Sequence, residues 1–260
     1  MDAVIVAGGK MTGPLRQVAG PEAGDRKALL RIGGRSLLQR VLDACAAAEC
    51  VRQVVVAGVG DAVGFECPAD TLFLPDTGSV IGNILAGAKP LRARADAGYH
   101  FLVIACDLPY LTGAMLDWLC RQAGESKLDF YYSVVPKETM EERFPGSGRT
   151  YYRLKEGRFC SGDAQVFSFH LIDRLHPLLY RFTEKRKSVL RLAMLFGPVF
   201  LFRFLAGRLT HEAICGRVGR KLNITGRVAV SPYAEIGMDI DNPVHLLAVP
   251  APQSGRHEHP

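Results

Sequence analysis

The chain has 260 residues, is 48% hydrophobic and carries a net charge of +6. That suffices for one sizeable α/β domain or two small ones, and with no Pro/Ser-rich or charged linker a single domain is expected. The positive balance is diffuse apart from a cluster at Arg181, Lys185, Arg186 and Lys187; it suits phosphate-bearing ligands, and without basic and aromatic interleaving it does not indicate nucleic acid.

Strand-length apolar runs alternate with helical patterns. Asp2 to Ala7 is a β-branched run ending in Gly8 and Gly9. Ser36 to Ala48 places Leu37, Leu38, Val41, Leu42 and Cys45 on one helical face. Val51 to Val59 and Thr71 to Leu74 read as strands, Val80 to Arg94 as a helix, and Phe101 to Ala105 as a fully apolar strand. Thr112 can N-cap a helix carrying Met115, Leu116 and Leu119. This order predicts a three-layer, Rossmann-like fold with a mostly parallel sheet covered on both faces. Phe130 to Val135 and Ala164 to Phe169 read as strands, and the stretch between them, with Pro136, Pro145, Gly146 and Gly148, as a surface excursion. Leu171 to Leu222 reads as helical, broken at Gly197-Pro198 and near Gly207, and Asn223 to Ser231 as a last strand-like segment. Leu192 to Leu205 is almost wholly apolar but shorter than the roughly 20 residues of a spanning helix. Residues 248–260, rich in Pro and His, read as a disordered tail.

The seven cysteines are odd in number, irregularly spaced and without a C-x-x-C pair, so neither a zinc site nor a disulfide framework is expected. Reduced thiols and an N-terminus without a basic n-region fit a cytoplasmic protein. His170, His176, His211 and His245 have no ligand spacing and read as structural.

Three segments carry chemistry. Val4-Ile5-Val6-Ala7-Gly8-Gly9-Lys10 is a strand running into paired glycines, whose N–H groups can surround phosphate oxygens. Lys10, Arg16 and Lys27 could supply the matching charge. Neither the Walker pattern nor the dinucleotide fingerprint is present, and the glycines alone also fit an ordinary turn. Ile104-Ala105-Cys106-Asp107-Leu108-Pro109 puts a carboxylate at the C-terminal end of a buried strand, where open α/β sheets bind ligands; Asp107 could hold Mg²⁺ there or simply form the turn before Pro109. In Gly237-Met238-Asp239-Ile240-Asp241-Asn242-Pro243, two carboxylates one residue apart on extended chain point to the same side, although Asp241 or Asn242 could equally cap a helix.

Together, Val-Ala-Gly-Gly, Lys-Ala-Leu-Leu, Cys-Asp-Leu-Pro and Asp-Ile-Asp-Asn-Pro form an ordered set that resembles the MobA-like nucleotidyltransferases. The resemblance covers residues 1–247 and implies the nucleotide-diphospho-sugar transferase fold, here with a helical insertion at about 181–221. Position by position, it implies that Ala7, Gly8 and Gly9 wrap a triphosphate and that Lys27 contacts its phosphates. It implies a base-contacting loop from Gly78 to Asn83 and an acceptor loop at Cys160 to Asp163, with Gly162 and Asp163 as contacts. Asp107 matches the metal-binding aspartate, and Asp241 a second acidic position that binds metal in some branches. The family's glycine loop often carries an arginine five residues after its second glycine; here Lys10 and the displaced Arg16 are the two candidates to replace it.

The activity so implied is Mg²⁺-dependent transfer of a nucleotidyl group from a nucleoside triphosphate to an anionic, phosphorylated acceptor, with release of pyrophosphate. Two alternatives stand beside it. One is a nucleotide-binding protein without turnover. The other, ranked lower, is a membrane-associated transferase acting on a lipid-linked phosphate through Leu192 to Leu205. Base, acceptor and oligomeric state are not encoded legibly. Lys27 is expected to be exposed, and Asp239 to matter less than Asp107 and Asp241.

Overall fold

The computed structural model describes residues 1–11, 13–19, 24–61, 64–94, 96, 98–172, 196–243 and 245. In chain order its elements are β1 (Asp2–Val6), α1 (Pro14–Val18), β2 (Arg31–Ile32), β3 (Arg35–Ser36), α2 (Leu37–Ala47), β4 (Val54–Ala57), β5 (Leu72–Leu74), α3 (Val80–Arg92), β6 (His100–Ala105) and α4 (Gly113–Ala123). They continue with β7 (Phe130–Pro136), α5 (Lys137–Arg143), β8 (Tyr152–Leu154), β9 (Gly157–Ser161), β10 (Ala164–Ser168), α6 (Pro198–Leu205), α7 (His211–Leu222) and β11 (Gly226–Val230). Single 3₁₀ turns occupy Lys27–Leu29 and Ala234–Gly237.

The main sheet runs β5-β4-β1-β6-β10-β7-β9-β8, with β11 pairing β7. From β5 to β6 every pairing is parallel. Their C-terminal ends therefore share one rim, where Val6 neighbours both Ala57 and Ala105. Strand β10 runs antiparallel to β6 and starts at that rim, with Ala164 opposite Ile104.

Period-two alternation sorts β1 between two layers. Ala3, Ile5 and Ala7 face Leu38, Val41 and Leu42 of α2 and Leu116 and Leu119 of α4 in one cluster. Val4 faces Ala88 and Leu91 of α3, with Val55, Phe101 and Phe169, in the other. A strand buried on both faces needs apolar residues at every position, which is why these runs are continuous. Helix α2 starts where expected because the Ser36 hydroxyl accepts from the Gln39 N–H at 3.1 Å. Its Leu37, Leu38, Val41 and Leu42 are fully buried, each contributing roughly 1.5–3 kcal/mol. Thr112 occupies the N-cap of α4 but makes no side-chain cap bond.

The α/β architecture is as expected, with one correction. The stretch after Pro136 is not a surface excursion: it holds α5 and the β8–β9 hairpin, which extends the sheet through Val135 and Cys160. Helix α5 buries only Met140, and the hairpin turns through Lys155-Glu156 onto a lone Gly157 at φ +142°, without the Asn-Gly or Asp-Gly pair that marks a hairpin, so neither leaves a strong pattern in the sequence. The helical expectation from Leu171 is met at α6 and α7. Residues 173–195, with the Arg181 to Lys187 cluster and the start of the expected insertion, lie outside the described residues, as does the 248–260 tail. Among the described residues no helix is long and apolar enough to cross a membrane.

Candidate nucleotide and metal site

The long loop after Gly9 closes on itself. Lys10 bridges Arg26, the Met11 N–H donates to the Asp25 carbonyl at 2.8 Å, and the Lys27 N–H donates to the Gly9 carbonyl at 3.0 Å. Lys27 is thereby set directly beside the glycine turn. Ile240 locks the loop from below, packing with Met11, Leu15, Leu30 and Leu37. Because Met238 and Ile240 are buried, Asp239 and Asp241 point the other way. The Ile240 N–H donates to the Asp107 carbonyl at 3.2 Å, which fixes this segment across the end of β6.

The result is one cluster. Lys27 Nζ lies 2.5 Å from Asp107 Oδ2, 2.5 Å from Asp241 Oδ1 and 4.0 Å from Asp239 Oδ2. Asp107 and Asp241, 134 positions apart in the chain, thus meet on one ammonium. Burial would lower the Lys27 pKa, but Asp107 and then Asp241 outweigh it and hold the ammonium above its ordinary value. Asp241 is lowered in turn, its hydrogen bond from Lys27 overcoming burial. The expectation that Lys27 is exposed is corrected: it is 9% exposed, because the loop folds it inward onto the carboxylates.

Arg149, from the loop after α5, completes the cluster. It pairs with Asp239 and, at 3.3 Å, with Asp163, and its Nε is buried without a hydrogen-bond partner among the described residues. Burial, and next the charge of Asp107, push the Asp163 carboxyl up to about 6. His245 ties the same loop down. Its Nδ1 accepts from the Asp241 N–H at 3.2 Å, and its Nε2 meets the Ser147 carbonyl at 2.8 Å. Those two bonds fit the neutral ring protonated on Nε2, and burial holds its pKa low. Arg149 and Ser147 were not singled out by sequence, since nothing local distinguishes them, and His245, read as structural, holds the Asp241 N–H and the Ser147 carbonyl.

Asp107, Asp239 and Asp241 each offer an oxygen within 4.8 Å of the others. An all-carboxylate set is the donor chemistry of a hard divalent cation. The formal charge agrees: four aspartates against Lys27 and Arg149 leave −4 + 2 = −2. Asp239, ranked behind its neighbours from sequence, stands inside this set, with its side chain 11% exposed against 64% for Asp241.

The glycine turn is shaped from the other side. A Cβ on Gly8 would run into the Asp76 carboxylate and the Asn83 amide, and Gly58, at φ +125°, leaves no room for a Cβ against the Gly8 backbone. Asp76 Oδ1 accepts from the Gly78 N–H at 3.0 Å and from Asn83 Nδ2 at 2.9 Å, while Asn83 Oδ1 accepts from the Thr77 N–H at 2.9 Å. Asn83 is 1% exposed and thus orders the Gly78 loop from within. The loop Gly162-Asp163 is pinned by Gly162 N–H to the Ser133 carbonyl at 2.9 Å and Asp163 N–H to the Ile236 carbonyl at 2.8 Å. Lys10 is exposed at the loop's mouth, and Arg16 pairs with the exposed Asp25 at 2.6 Å. Neither is joined to the carboxylate cluster.

A family model for the MobA-like NTP transferase domain matches residues 3–197. The chain belongs to the MobA-like NTP transferase family. A hypothetical transferase from Thermus thermophilus is 34% identical, with 94% of this chain and 98% of that one aligned at a TM-score of 0.80. Two further solved structures share the fold. A CMP:2-keto-3-deoxy-manno-octonic acid synthetase complexed with CTP is 14% identical, at TM-score 0.52 over 94% of both chains. A 4-diphosphocytidyl-2C-methyl-D-erythritol synthase is 18% identical, at TM-score 0.52 over 95% of this chain and 97% of that one. No curated protein matches. This MobA-like protein is thus a nucleotidyltransferase of the nucleotide-diphospho-sugar transferase fold.

Proposed function

We propose that this MobA-like enzyme transfers a nucleotidyl group from a nucleoside triphosphate to a phosphorylated or otherwise anionic acceptor, releasing pyrophosphate, and that Mg²⁺ serves the reaction. The observation that carries the reading is Lys27, held between Asp107 and Asp241 at the rim where Gly8 and Gly9 turn.

The backbone of Ala7, Gly8 and Gly9 would face the triphosphate, with the loop from Gly78, ordered by Asn83, at the base. Lys10 and Arg16, exposed on the closing loop, remain the two candidates for a further phosphate contact. Asp107, Asp239 and Asp241 would hold Mg²⁺, which when bound neutralises phosphate charge and orients the α-phosphate. Lys27 would leave the carboxylates for phosphate oxygens and so favour the departing pyrophosphate. Gly162 and Asp163 would border the acceptor. An acceptor that is already a phosphate presents an anionic oxygen for in-line attack on the α-phosphorus. No general base is then needed, and positioning with charge neutralisation does the work.

Thermal-shift measurements with ATP, GTP, CTP and UTP, with and without MgCl₂, test this. CTP leads the panel because the synthetase of the same fold was solved with it. Stabilisation by one triphosphate that requires Mg²⁺, and that is lost in Lys27→Ala, is the expected result. No shift with any triphosphate, or an unchanged affinity in Lys27→Ala, overturns the reading. Pyrophosphate release over a panel of phosphorylated acceptors then identifies the second substrate.

A further inference from the structure

Away from the site, the described residues leave one apolar face uncovered. Val199, Phe202 and Leu205 of α6 are 71%, 66% and 69% exposed, and among the described residues no other large hydrophobic exceeds 49%. They stand at i, i+3 and i+6, on one side of the helix, and none of the eight α6 residues is buried. Scattered exposed apolar residues need no explanation, but three together on one element do.

The surroundings are basic. Val199, Phe200 and Arg203 of α6 and Arg217 and Arg220 of α7 line a cavity of about 310 Å³, and none of the three arginines has an acidic partner among the described residues. The described stretch 196–221 holds Arg203, Arg208, Arg217, Arg220 and Lys221 against Glu212 alone, a balance of +4 in a chain whose total is +6.

We infer that the outer face of α6, with Arg203, Arg217 and Arg220, docks on the surface of an anionic phospholipid bilayer. Val199, Phe202 and Leu205 would enter the headgroup and acyl boundary, and the arginines would meet lipid phosphates. At eight residues the helix is far too short to span, so the association is peripheral. A second copy of the chain is a poor occupant of the same face. A two-fold contact would set arginines of one protomer against the identical arginines of the other, with no acid between them. The dock lies on the acceptor side of the enzyme: α6 stacks Phe204 on Tyr152 of β8, at 6.3 Å between ring centroids, and the β8–β9 hairpin runs directly into Gly162 and Asp163. This inference does not rest on the transfer reaction.

The test is flotation of the full-length protein with phosphatidylcholine vesicles, with and without phosphatidylglycerol. Wild type should float with the phosphatidylglycerol vesicles, stay behind with phosphatidylcholine alone and be released by high salt. Phe202→Asp should abolish flotation, and Arg203→Gln with Arg220→Gln should weaken partition about 30-fold. These side chains are exposed, so both variants should keep the wild-type melting temperature. Failure of wild type to float with anionic vesicles overturns the inference, as does flotation unaffected by either variant. A solution dimer that Phe202→Asp converts to monomer also overturns it, assigning the face to a second copy. Nucleotide shifts measured without vesicles report on the transfer reading separately.

Discussion

Lys27→Met keeps the aliphatic stem and deletes the ammonium. In the wild type that ammonium is 2.5 Å from both Asp107 and Asp241 and 4.0 Å from Asp239. The Asp107 and Asp239 side chains are only 15% and 11% exposed, so their charges are weakly screened. Asp241, at 64%, contributes about 1 kcal/mol or less. Removing one partner of a buried pair costs about 3–5 kcal/mol, and one pair at about 4 Å in an effective dielectric of about 20 gives roughly 4 kcal/mol. For a chain of this size, that lowers the melting temperature on the order of 10 °C. Mg²⁺ should reverse part of the loss. In the wild type a divalent ion must compete with Lys27 for Asp107 and Asp241, whereas in the variant those carboxylates are unpaired. Scanning calorimetry in EDTA and in MgCl₂ reads both effects. An unchanged melting temperature in EDTA, or a larger Mg²⁺ response in the wild type than in Lys27→Met, would refute the reasoning.

Three further outcomes are expected. Asp239→Asn should cost about 1–3 kcal/mol in urea unfolding, because it strips the nearly buried Arg149 of a partner, while Asp241→Asn should change stability by less than about 1 kcal/mol; equal effects would count against the cluster. Gly8→Ala should weaken nucleotide binding about tenfold in titration calorimetry, since its methyl displaces Asp76 and Asn83, and unchanged affinity would remove the glycine turn from the site. His100, whose Nε2 meets the Leu128 carbonyl at 2.7 Å, is held by burial below its ordinary pKa of 6.5. A lowered histidine contributes stability above that value and loses it as pH falls, so the advantage of wild type over His100→Gln should shrink between about pH 7.5 and about pH 5.5. An advantage that grows on acidification would contradict the burial argument.

Much of the N-terminal half was legible because its signals are local. β1 and β6 are continuous apolar runs, α2 has a clean helical face opened by Ser36, and Asp107 directly follows a buried strand. Asp239 and Asp241 were legible as a same-side pair because Met238 and Ile240 alternate with them. The β8–β9 hairpin was not legible, since its turn carries a lone Gly157 and no Asn-Gly or Asp-Gly pair. Nor was the strap over the cluster. The bond between His245 and Ser147 joins positions 98 apart, and Arg149 sits in a Pro/Gly-rich stretch that reads as any loop. Lys27 was recognised by motif, but its burial depends on the closure of the loop from Gly9, which the sequence records only as length.

That closure gives the acidic cluster a physical role. Carboxylates gathered at a strand rim repel one another, and a fold without a bound metal ion needs another positive charge to hold them together. Lys27 fills that place with one charge on a flexible stem, anchored by its own N–H to Gly9, the residue beside the expected phosphates. A guanidinium would lock bidentately onto a carboxylate, whereas an ammonium is a point charge that exchanges partners readily. Arg149 is the contrasting case, held by Asp239 and Asp163 and buried at Nε. One cation of the cluster is therefore built to move and the other to stay. A bound triphosphate would draw Lys27 away from Asp107 and Asp241, and freeing those carboxylates raises their affinity for a divalent ion. On the proposed reading linkage requires the converse as well, so metal and nucleotide would each favour the binding of the other through a single lysine.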